Sequence, residues 1–471
     1  MRNKVLLLLL AACCAGCQGA DEPAGPRHIF LITVDTLRAD HLGTYGYARD
    51  TSPNLDRLAN SGVLFETAVA QWPKTGPSFA SLFTGQYPLT TGLTHRAAVQ
   101  LPREYLTLPE FLEMQGFTTL AVVSNAVLSS ELGWDQGFDE YLEISRLTGT
   151  LVDDPEIYRS GMNALRVNEF ALPLLERHRT ADRLFIWVHY SDPHTPYLLP
   201  DGVDNPFLGD AFYRGEEKAK IPRPRAIAIG QHRDLKFYVA QYDANIRFVD
   251  HQVQELLSRA DGLGLLDDAQ VIFTADHGES LGEHNYFFEH GRLPYNNTAR
   301  VPLFFYRTDG LDGGRRVDRC VELLDLYPTL RDLVAPGQEV AGLEGQSLTP
   351  FLRAGQSRPE ETAAFEFAFS QAGGGGGASR SHFRSVQDGE WKLVFHPARR
   401  ARPASWELYD LRQNPGETLD VANLHPGQVR RLAREMSAWM KGRDWIDPPD
   451  GLVRERSEDT LRALRALGYV Q

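Results

Sequence analysis

The feature that most limits the fold is a near-continuous apolar run, His28–Val34, which ends at the carboxylate Asp35. Runs of this kind are typical of strands buried on both faces of a sheet. Four similar runs follow, at Thr118–Ser124, Leu184–His189, Gln270–Ala275 and Val301–Tyr306. Helical patterns lie between them, at Asn54–Asn60, Leu108–Gln115, Pro155–His178 and Phe237–Arg259. The alternation predicts an α/β fold with a large mixed, mostly parallel sheet sandwiched by helices.

The chain changes character in its last part, residues 356–471. Gly373–Gly377 is a run of glycines typical of a flexible loop. Alternating segments after it predict three strands, at His382–Gln387, Glu390–His396 and Trp406–Leu411. One apolar helix face follows, at Val429, Leu432, Met436 and Trp439. We therefore expect a small C-terminal α+β subdomain attached to a main domain of residues 28–355.

Residues 1–17 have the pattern of a bacterial export signal, with Arg2 and Lys4 before an apolar stretch too short to span a bilayer. Small residues precede Cys13 and Cys17, which resembles a lipoprotein signal; plain secretion is the alternative. Acylation of either cysteine would anchor the N-terminus to a membrane, with residues 18–27 as a tether. We therefore expect a location in the periplasm or at the cell surface.

Cysteine content and net charge further limit the class of protein to which the chain can belong. Cys320 is the one cysteine beyond the leader, so the exported part has no internal disulfide. The net charge of −13 and the lack of basic runs argue against nucleic acid as a partner.

Polar side chains follow the ends of the predicted strands. They are Asp35, His189 with Asp192 and His194, Asp276 with His277, and the nearby His284 and His290. Singly, each is more typical of a structural histidine or a helix cap. Because the carboxyl ends of parallel strands meet at one crevice, we expect the set to converge. Carboxylates and imidazoles suit one divalent ion, such as Zn²⁺, Mn²⁺, Mg²⁺ or Ca²⁺.

The segment Trp72–Pro88 predicts a turn and a helix start. Gly76 allows a bend, Pro77 suits the first helical position, and Gly85 suits the helix end. Thr75 would then hold a hydroxyl at a helix N-terminus, where an anion is favoured. The simpler interpretation is that Thr75 only caps the helix.

Segments spread in order along the chain together resemble the sulfatase family of the alkaline phosphatase superfamily. They are Val34–Gly43, Pro77–Gly85, Asp192–Tyr197, Asp276–His284, Arg300–Leu303, Asp325–Leu330 and Glu407–Glu417. The resemblance implies an alkaline-phosphatase-like fold and a catalytic domain over residues 28–355. It also implies a metal-dependent ester hydrolase or transferase acting on a sulfated or phosphorylated glycan, lipid or other ester.

The chain departs from the sulfatase pattern at the reacting position. Sulfatases carry there a Cys or Ser that is oxidised to formylglycine, whereas this chain has Thr75. Phe79 replaces a usual Arg, Thr36 replaces one Asp of a usual pair, and Val122–Asn125 replaces a segment with Lys and His. With these departures the chain resembles the phosphodiesterases and phosphoglycol or phosphoethanolamine transferases of the superfamily.

The resemblance also implies roles for single residues. The implied metal ligands are Asp35, Thr75, Asp276 and His277, with Thr75 as the nucleophile. His194 and His290 would contact the anion or the leaving group, and Lys74, Asn125 and Arg292 would bind substrate. A second ion at Asp192, His194 and His290 is an alternative whose local spacing fits poorly.

Three functions follow as hypotheses. Phosphodiester cleavage or phospho-alcohol transfer is favoured by a threonine nucleophile. A sulfuric ester hydrolase that works without formylglycine is the second. A non-catalytic, surface-tethered binding protein with a relict site is the third.

Overall fold

The computed structural model describes residues 25–94, 100–149, 162–213, 229, 232–308, 313–352, 363–373, 382–398, 402–441, 457–458 and 462. Several predictions concern residues outside these ranges: the signal at 1–17, most of the tether, most of the glycine run, and the start of the helical pattern at Pro155.

Eleven of the described strands lie in the main domain. Their bounds are His28–Val34 (β1), Val63–Val69 (β2), Thr118–Val123 (β3), Glu140–Glu143 (β4), Leu184–Tyr190 (β5), Ala269–Ala275 (β6), Ser280–Leu281 (β7), Phe287–Glu289 (β8), Arg300–Val301 (β9), Leu303–Tyr306 (β10) and Arg315–Glu322 (β11). Nine of them form one sheet in the order β11-β2-β10-β6-β1-β5-β3-β4, with β9 on β2. β10 runs antiparallel to β2 and β6, and β9 runs antiparallel to β2. The other neighbouring strands are parallel, so the predicted mixed, mostly parallel sheet is confirmed.

The register of the central strands sets the place of the site. β1 lies between β5 and β6 and is parallel to both, with Val34 opposite Tyr190 on one side and Ala275 on the other. The residues that follow these three strands therefore leave the sheet at the same level. All of β1 is buried, as its apolar run predicts.

The described part of the chain contains seven longer helices. Their bounds are Pro53–Ser61 (α1), Thr75–Thr84 (α2), Leu108–Met114 (α3), Ala164–Arg177 (α4), Leu235–Gly262 (α5), Leu326–Val334 (α6) and Pro426–Met440 (α7). Four-residue helical turns lie at Pro88–Thr91, Ile144–Leu147, Asn296–Ala299 and Thr349–Leu352. α1, α4 and α5 pack together, as do α2, α3 and α6. Among the described residues, no helix has both the length and the apolar character needed to cross a membrane.

The C-terminal part forms an antiparallel sheet of four strands. They are Ala368–Ala372 (β12), Phe383–Gln387 (β13), Trp391–His396 (β14) and Ser405–Asp410 (β15). Leu432, Met436 and Trp439 of α7 are buried against this sheet, and Tyr87 and Leu324 of the main domain join the same core. The small α+β subdomain is confirmed, while its boundary at residue 355 stays a prediction, since residues 353–362 lie outside the described ranges.

Two buried carboxylates lie where β12 meets the main sheet. Glu322 accepts hydrogen bonds from the Phe369 amide at 2.9 Å and from the Tyr87 hydroxyl at 2.5 Å. Asp325 accepts from the Glu322 amide at 2.8 Å. Burial, with the neighbouring Asp325 charge, raises the pKa of Glu322 to about 8. An acid whose pKa is higher in the folded than in the unfolded protein destabilises the folded state when it ionises.

We expect the free energy of unfolding to fall as the pH rises from about 4.5, the ordinary value for glutamate, through 8. Roughly 3 kcal/mol of stability would be lost at this group between pH 5 and pH 8. Glu322→Gln should make this decline smaller, because a neutral amide cannot ionise, while the buried Asp325 and Asp276, whose pKa values are raised to about 7, account for the part that stays. Urea unfolding across this range measures it, with Glu66→Gln, at a part-exposed ion pair with Arg316, as the control. Equal pH dependence in wild type and Glu322→Gln would contradict the assignment.

Candidate active site

The ligands predicted at the ends of β1 and β6 converge in the structure. Asp35 follows β1 directly, and Asp276 and His277 follow β6. One ligand atom from each lies within 4.8 Å of the other two, and all three side chains are buried. We refer to these three residues as the ligand group.

The protonation of His277 shows what the ligand group can hold. Its Nδ1 lies 2.9 Å from the carbonyl oxygen of Gly278, which can only accept, so Nδ1 carries a proton. Burial, with His290 nearby, lowers the pKa of His277 to about 3, which leaves a lone pair on Nε2. That nitrogen lies 3.3 Å from Asp276 Oδ2 and 3.8 Å from Asp35 Oδ1. Because lone pairs face one another, the set fits a divalent cation.

Backbone amides fix the carboxylate of Asp276. The amides of Thr36 and His277 donate to its Oδ1 at 3.2 and 2.8 Å. Burial outweighs these hydrogen bonds and raises the pKa of Asp276 to about 7. A bound cation would favour the ionised form. The backbone of Thr36 lies in the left-handed region, with φ 57°. Its hydroxyl donates a hydrogen bond to the carbonyl oxygen of Asp35 at 2.7 Å.

Thr75 is the first residue of α2, and its hydroxyl meets the ligand group. Its Oγ1 lies 3.3 Å from His277 Nε2. Lys74 occupies the N-cap position, so the interpretation of Thr75 as a cap is wrong, and Pro77 is the third helical residue rather than the first. Gly85 ends the helix in the left-handed conformation, as predicted. The positive end of α2 therefore faces the place where an anion would bind.

Two histidines predicted to contact the substrate stand beside the ligand group. The ring centroid of His290 lies 4.2 Å from that of His277 and 5.2 Å from that of His194. Glu279, which is fully buried, places Oε1 3.1 Å from His290 Nδ1. This carboxylate orients the His290 ring, a contact to which the sequence did not point.

The three residues predicted to bind substrate differ in their surroundings. Lys74 is largely buried, and burial lowers the pKa of its amine to about 8 while the charge of Glu289 opposes the shift. Asn125 donates from Nδ2 to Asp35 Oδ2 at 2.7 Å, and its Oδ1 accepts from a backbone amide. Asn125 therefore supports a ligand of the group. Arg292 is exposed, and its guanidinium lies over the ring of Tyr286.

The alternative of a second ion gains no support from the position of Asp192. Its Oδ2 accepts a hydrogen bond from the Ala164 amide at 2.6 Å, at the start of α4. Among the described residues, Asp35, Asp276 and His277 form the one group of three or more such side chains close enough to hold a metal.

His189 is a further buried neighbour of the ligand group. Its Nε2 lies 4.0 Å from Asp35 Oδ2, and burial lowers the pKa of the imidazole to about 3. The strand-end position of His189 indicated a place near the site, but its contacts could not be predicted from the sequence.

Comparison with known proteins identifies the family. The family model "Sulfatase" matches residues 27–335, well over half of the chain. The chain belongs to the sulfatase family. A second model, for the C-terminal part of N-sulphoglucosamine sulphohydrolase, matches residues 282–442.

Relatives of this sulfatase-family chain cover most of its length. Mouse iduronate 2-sulfatase is 28% identical over 69% of this chain and 72% of its own. N-acetylglucosamine-6-O-sulfatase of Bacteroides thetaiotaomicron is 24% identical over 89% of this chain and 87% of its own. The solved phosphonate monoester hydrolase of Agrobacterium radiobacter superposes with a TM-score of 0.69 at 21% identity, covering 89% of this chain and 96% of its own. That likeness shows the shared fold.

Proposed function

We propose that this sulfatase-family protein cleaves sulfate or phosphate esters with Thr75 as nucleophile and a divalent cation in the ligand group. The observation that carries the proposal is the contact of Thr75 Oγ1 with His277 Nε2, 3.3 Å, at the N-terminus of α2. A threonine hydroxyl is a weak nucleophile by itself and needs such a neighbourhood.

Each side chain then has a defined part in the reaction. A cation held by Asp35, Asp276 and His277 would lower the pKa of a nearby hydroxyl and offset the charge of the ester. The Thr75 hydroxyl gives its proton to solvent, its oxygen forms a bond to sulfur or phosphorus, and the bond from that centre to the ester oxygen breaks. His290 or His194 gives a proton to the leaving oxygen. The same histidine then takes a proton from water or an acceptor alcohol, whose oxygen bonds to the sulfur or phosphorus and displaces the Thr75 oxygen, which takes a proton back from solvent.

The charges around the site favour esters with one negative charge. Asp35, Asp276 and Glu279 are buried carboxylates, and Lys74 is a largely buried amine beside Thr75. The positive charges of a divalent cation and one amine would together offset the negative charges of these three acids. A dianionic phosphate monoester would then leave more uncompensated negative charge in the buried site than a monoanionic ester. A sulfate monoester and a phosphodiester each carry one charge.

The threonine favours phosphodiester cleavage or phospho-alcohol transfer, while the relatives favour sulfate esters. Those named for glycan positions, such as the N-acetylglucosamine-6-O-sulfatase, support a sulfated sugar as the second candidate substrate.

The two candidates are separated by rates on paired substrates. We expect the protein to hydrolyse bis-4-nitrophenyl phosphate at least ~10-fold faster, in kcat/KM, than 4-nitrophenyl sulfate. 4-Nitrophenyl phosphate, a dianion, serves as the control for charge and should be the slowest. A faster rate on the sulfate would favour a sulfatase that works without formylglycine. No turnover of any ester by protein loaded with Zn²⁺ or Mn²⁺ would favour a binding protein with a relict site.

We also propose export with an N-terminal lipid anchor at Cys13 or Cys17. The support is the pattern of residues 1–17. Labelling of cells with a fatty-acid analogue, compared between wild type and single Cys→Ala variants, identifies the acylated cysteine.

A further inference from the structure

The turn that follows β1 contains a residue in a conformation that its side chain disfavours. Thr36, next to the ligand Asp35, has a φ of 57°, in the left-handed region. Branching at Cβ makes this region costly for threonine, whereas glycine adopts it readily. A backbone conformation of this kind persists only when neighbouring groups hold it. The hydrogen bonds on either side of Thr36 therefore decide whether the turn keeps its shape.

The peptide group before Thr36 is bound to a ligand of the proposed cation. The amide of Thr36 donates to Asp276 Oδ1 at 3.2 Å, and the amide of His277 donates to the same oxygen at 2.8 Å. The Thr36 hydroxyl donates to the carbonyl oxygen of Asp35 at 2.7 Å. Thr36 therefore links the two acidic members of the ligand group.

The peptide group after Thr36 is bound to Tyr242 of α5. The hydroxyl of Tyr242 donates to the carbonyl oxygen of Thr36 at 2.7 Å and accepts from the amide of Arg38 at 2.9 Å. Because a carbonyl oxygen can only accept and an amide N–H can only donate, both roles of this hydroxyl are fixed. Tyr242 thus bridges the turn between residues 36 and 38.

The ring of Tyr242 is itself held in place. It is fully buried, and the rings of His41 and Tyr197 meet it edge-on, with centroids at 5.2 and 5.6 Å. Packing of this kind leaves the ring little freedom. The hydroxyl is therefore a fixed point to which the turn is attached.

The conformation of Thr36 is the rotation between the two planar peptide groups that flank it. Asp276 binds the first group, and Tyr242 binds the second. Without the Tyr242 hydroxyl, the second group could rotate and Thr36 could relax out of the left-handed region. That relaxation would turn the Thr36 amide away from Asp276 Oδ1, which would lose one of the two amide hydrogen bonds that fix it.

We propose that Tyr242 is a positioning residue for the cation site: its hydroxyl holds Thr36 in the left-handed conformation, which keeps Asp276 and Asp35 in place for the cation. The inference rests on the proposed cation at the ligand group but not on Thr75 as the nucleophile. Hydrogen bonds that orient the ligands of a metal commonly change its affinity ten- to a hundredfold.

Tyr242→Phe and Tyr238→Phe form a matched pair, since each removes one hydroxyl from a buried tyrosine of α5. The Tyr238 hydroxyl donates to the carbonyl oxygen of His232 at 3.2 Å, away from the turn. We expect Tyr242→Phe in the full-length protein to bind Zn²⁺ about tenfold more weakly, in competition with a chelator. Tyr238→Phe should bind Zn²⁺ like the wild type. Wild-type affinity in Tyr242→Phe would overturn the inference.

Thr36→Gly tests the route by which the hydroxyl acts. Glycine adopts the left-handed conformation without a steric cost, so the turn should depend less on Tyr242. Tyr242→Phe should therefore weaken Zn²⁺ binding less than about threefold in the Thr36→Gly background, against about tenfold in the wild-type background. An equal loss in the two backgrounds would overturn the proposed action through Thr36.

Urea unfolding of each variant separates positioning from a general structural role. We expect Tyr242→Phe to fold, since phenylalanine keeps the ring and its packing. A Tyr242→Phe variant that does not fold would show that the hydroxyl supports the fold as a whole, and would overturn a role limited to the cation site.

These readouts also separate the inference from the proposed function. A protein that shows the expected Zn²⁺ affinities but turns over no ester would refute the proposed chemistry and support the role of Tyr242. A protein that turns over esters while Tyr242→Phe binds Zn²⁺ like the wild type would do the opposite. A wild type that binds no Zn²⁺ would overturn both.

Discussion

Thr75→Ala is expected to abolish ester turnover while the protein stays folded. Because the threonine oxygen forms the bond to sulfur or phosphorus, its removal should lower kcat/KM by at least ~10³-fold. The variant loses the 3.3 Å contact of the hydroxyl with His277 and its hydrogen bond with Asp276, so the free energy of unfolding should change by about 1 to 2 kcal/mol. Steady-state rates and urea unfolding measure the two effects.

Thr84→Ala is the matched control for Thr75→Ala. Thr84 ends the same helix, and its hydroxyl donates to the carbonyl oxygen of Ala80 at 2.7 Å, away from the ligand group. We expect a small loss of stability and near wild-type rates. Thr75→Ser, which restores a hydroxyl, should recover turnover to within ~10-fold of wild type. Wild-type rates in Thr75→Ala would show that another group attacks the ester.

Asp276→Asn is expected to weaken cation binding by at least ~100-fold and to remove activity with it. The substitution is nearly isosteric, and Oδ1 can keep accepting from the amides of Thr36 and His277. It removes the negative charge beside His277 Nε2, which lies 3.3 Å from Oδ2. Elemental analysis after dialysis against a weak chelator, together with isothermal titration with Zn²⁺ or Mn²⁺, measures the loss.

Asp192→Asn is the control for charge removal at a neighbouring strand end. Because its carboxylate accepts from the Ala164 amide, the variant should keep its cation. One equivalent in the wild type and in Asp192→Asn, against none in Asp276→Asn, supports the single site. Two equivalents in the wild type and one in Asp192→Asn would instead establish the second ion.

The buried centre of the sheet could be predicted because its strands are predominantly apolar. β1, β5 and β6 have no exposed face, so their sequences contain no polar alternation that would obscure them. β11 was not predicted, because its charged residues at positions 315, 316, 318 and 319 leave no apolar run or regular alternation. The predicted strand Val301–Tyr306 is interrupted at Pro302, where the chain passes from β9 to β10.

The ligand group could be predicted for the same reason, since its members directly follow buried parallel strands. The place of Thr75 did not follow from the strand pattern and was implied by the family resemblance alone, because it depends on how α2 docks on β6. Ser78 fixes this docking by donating to the backbone carbonyl of Asp276 at 2.6 Å. The contacts of Asn125 and His189 with Asp35 also lay beyond the sequence, since they depend on which strands are neighbours and on side-chain rotamers.

The most direct test of the central claim is mass spectrometry of the protein quenched in acid during its first turnover of bis-4-nitrophenyl phosphate. We predict that the peptide containing Thr75 gains the mass of a 4-nitrophenyl phosphoryl group, and that the adduct is absent from Thr75→Ala. Stoichiometric release of nitrophenol with the Thr75 peptide unmodified, or an adduct on another residue, would contradict the account.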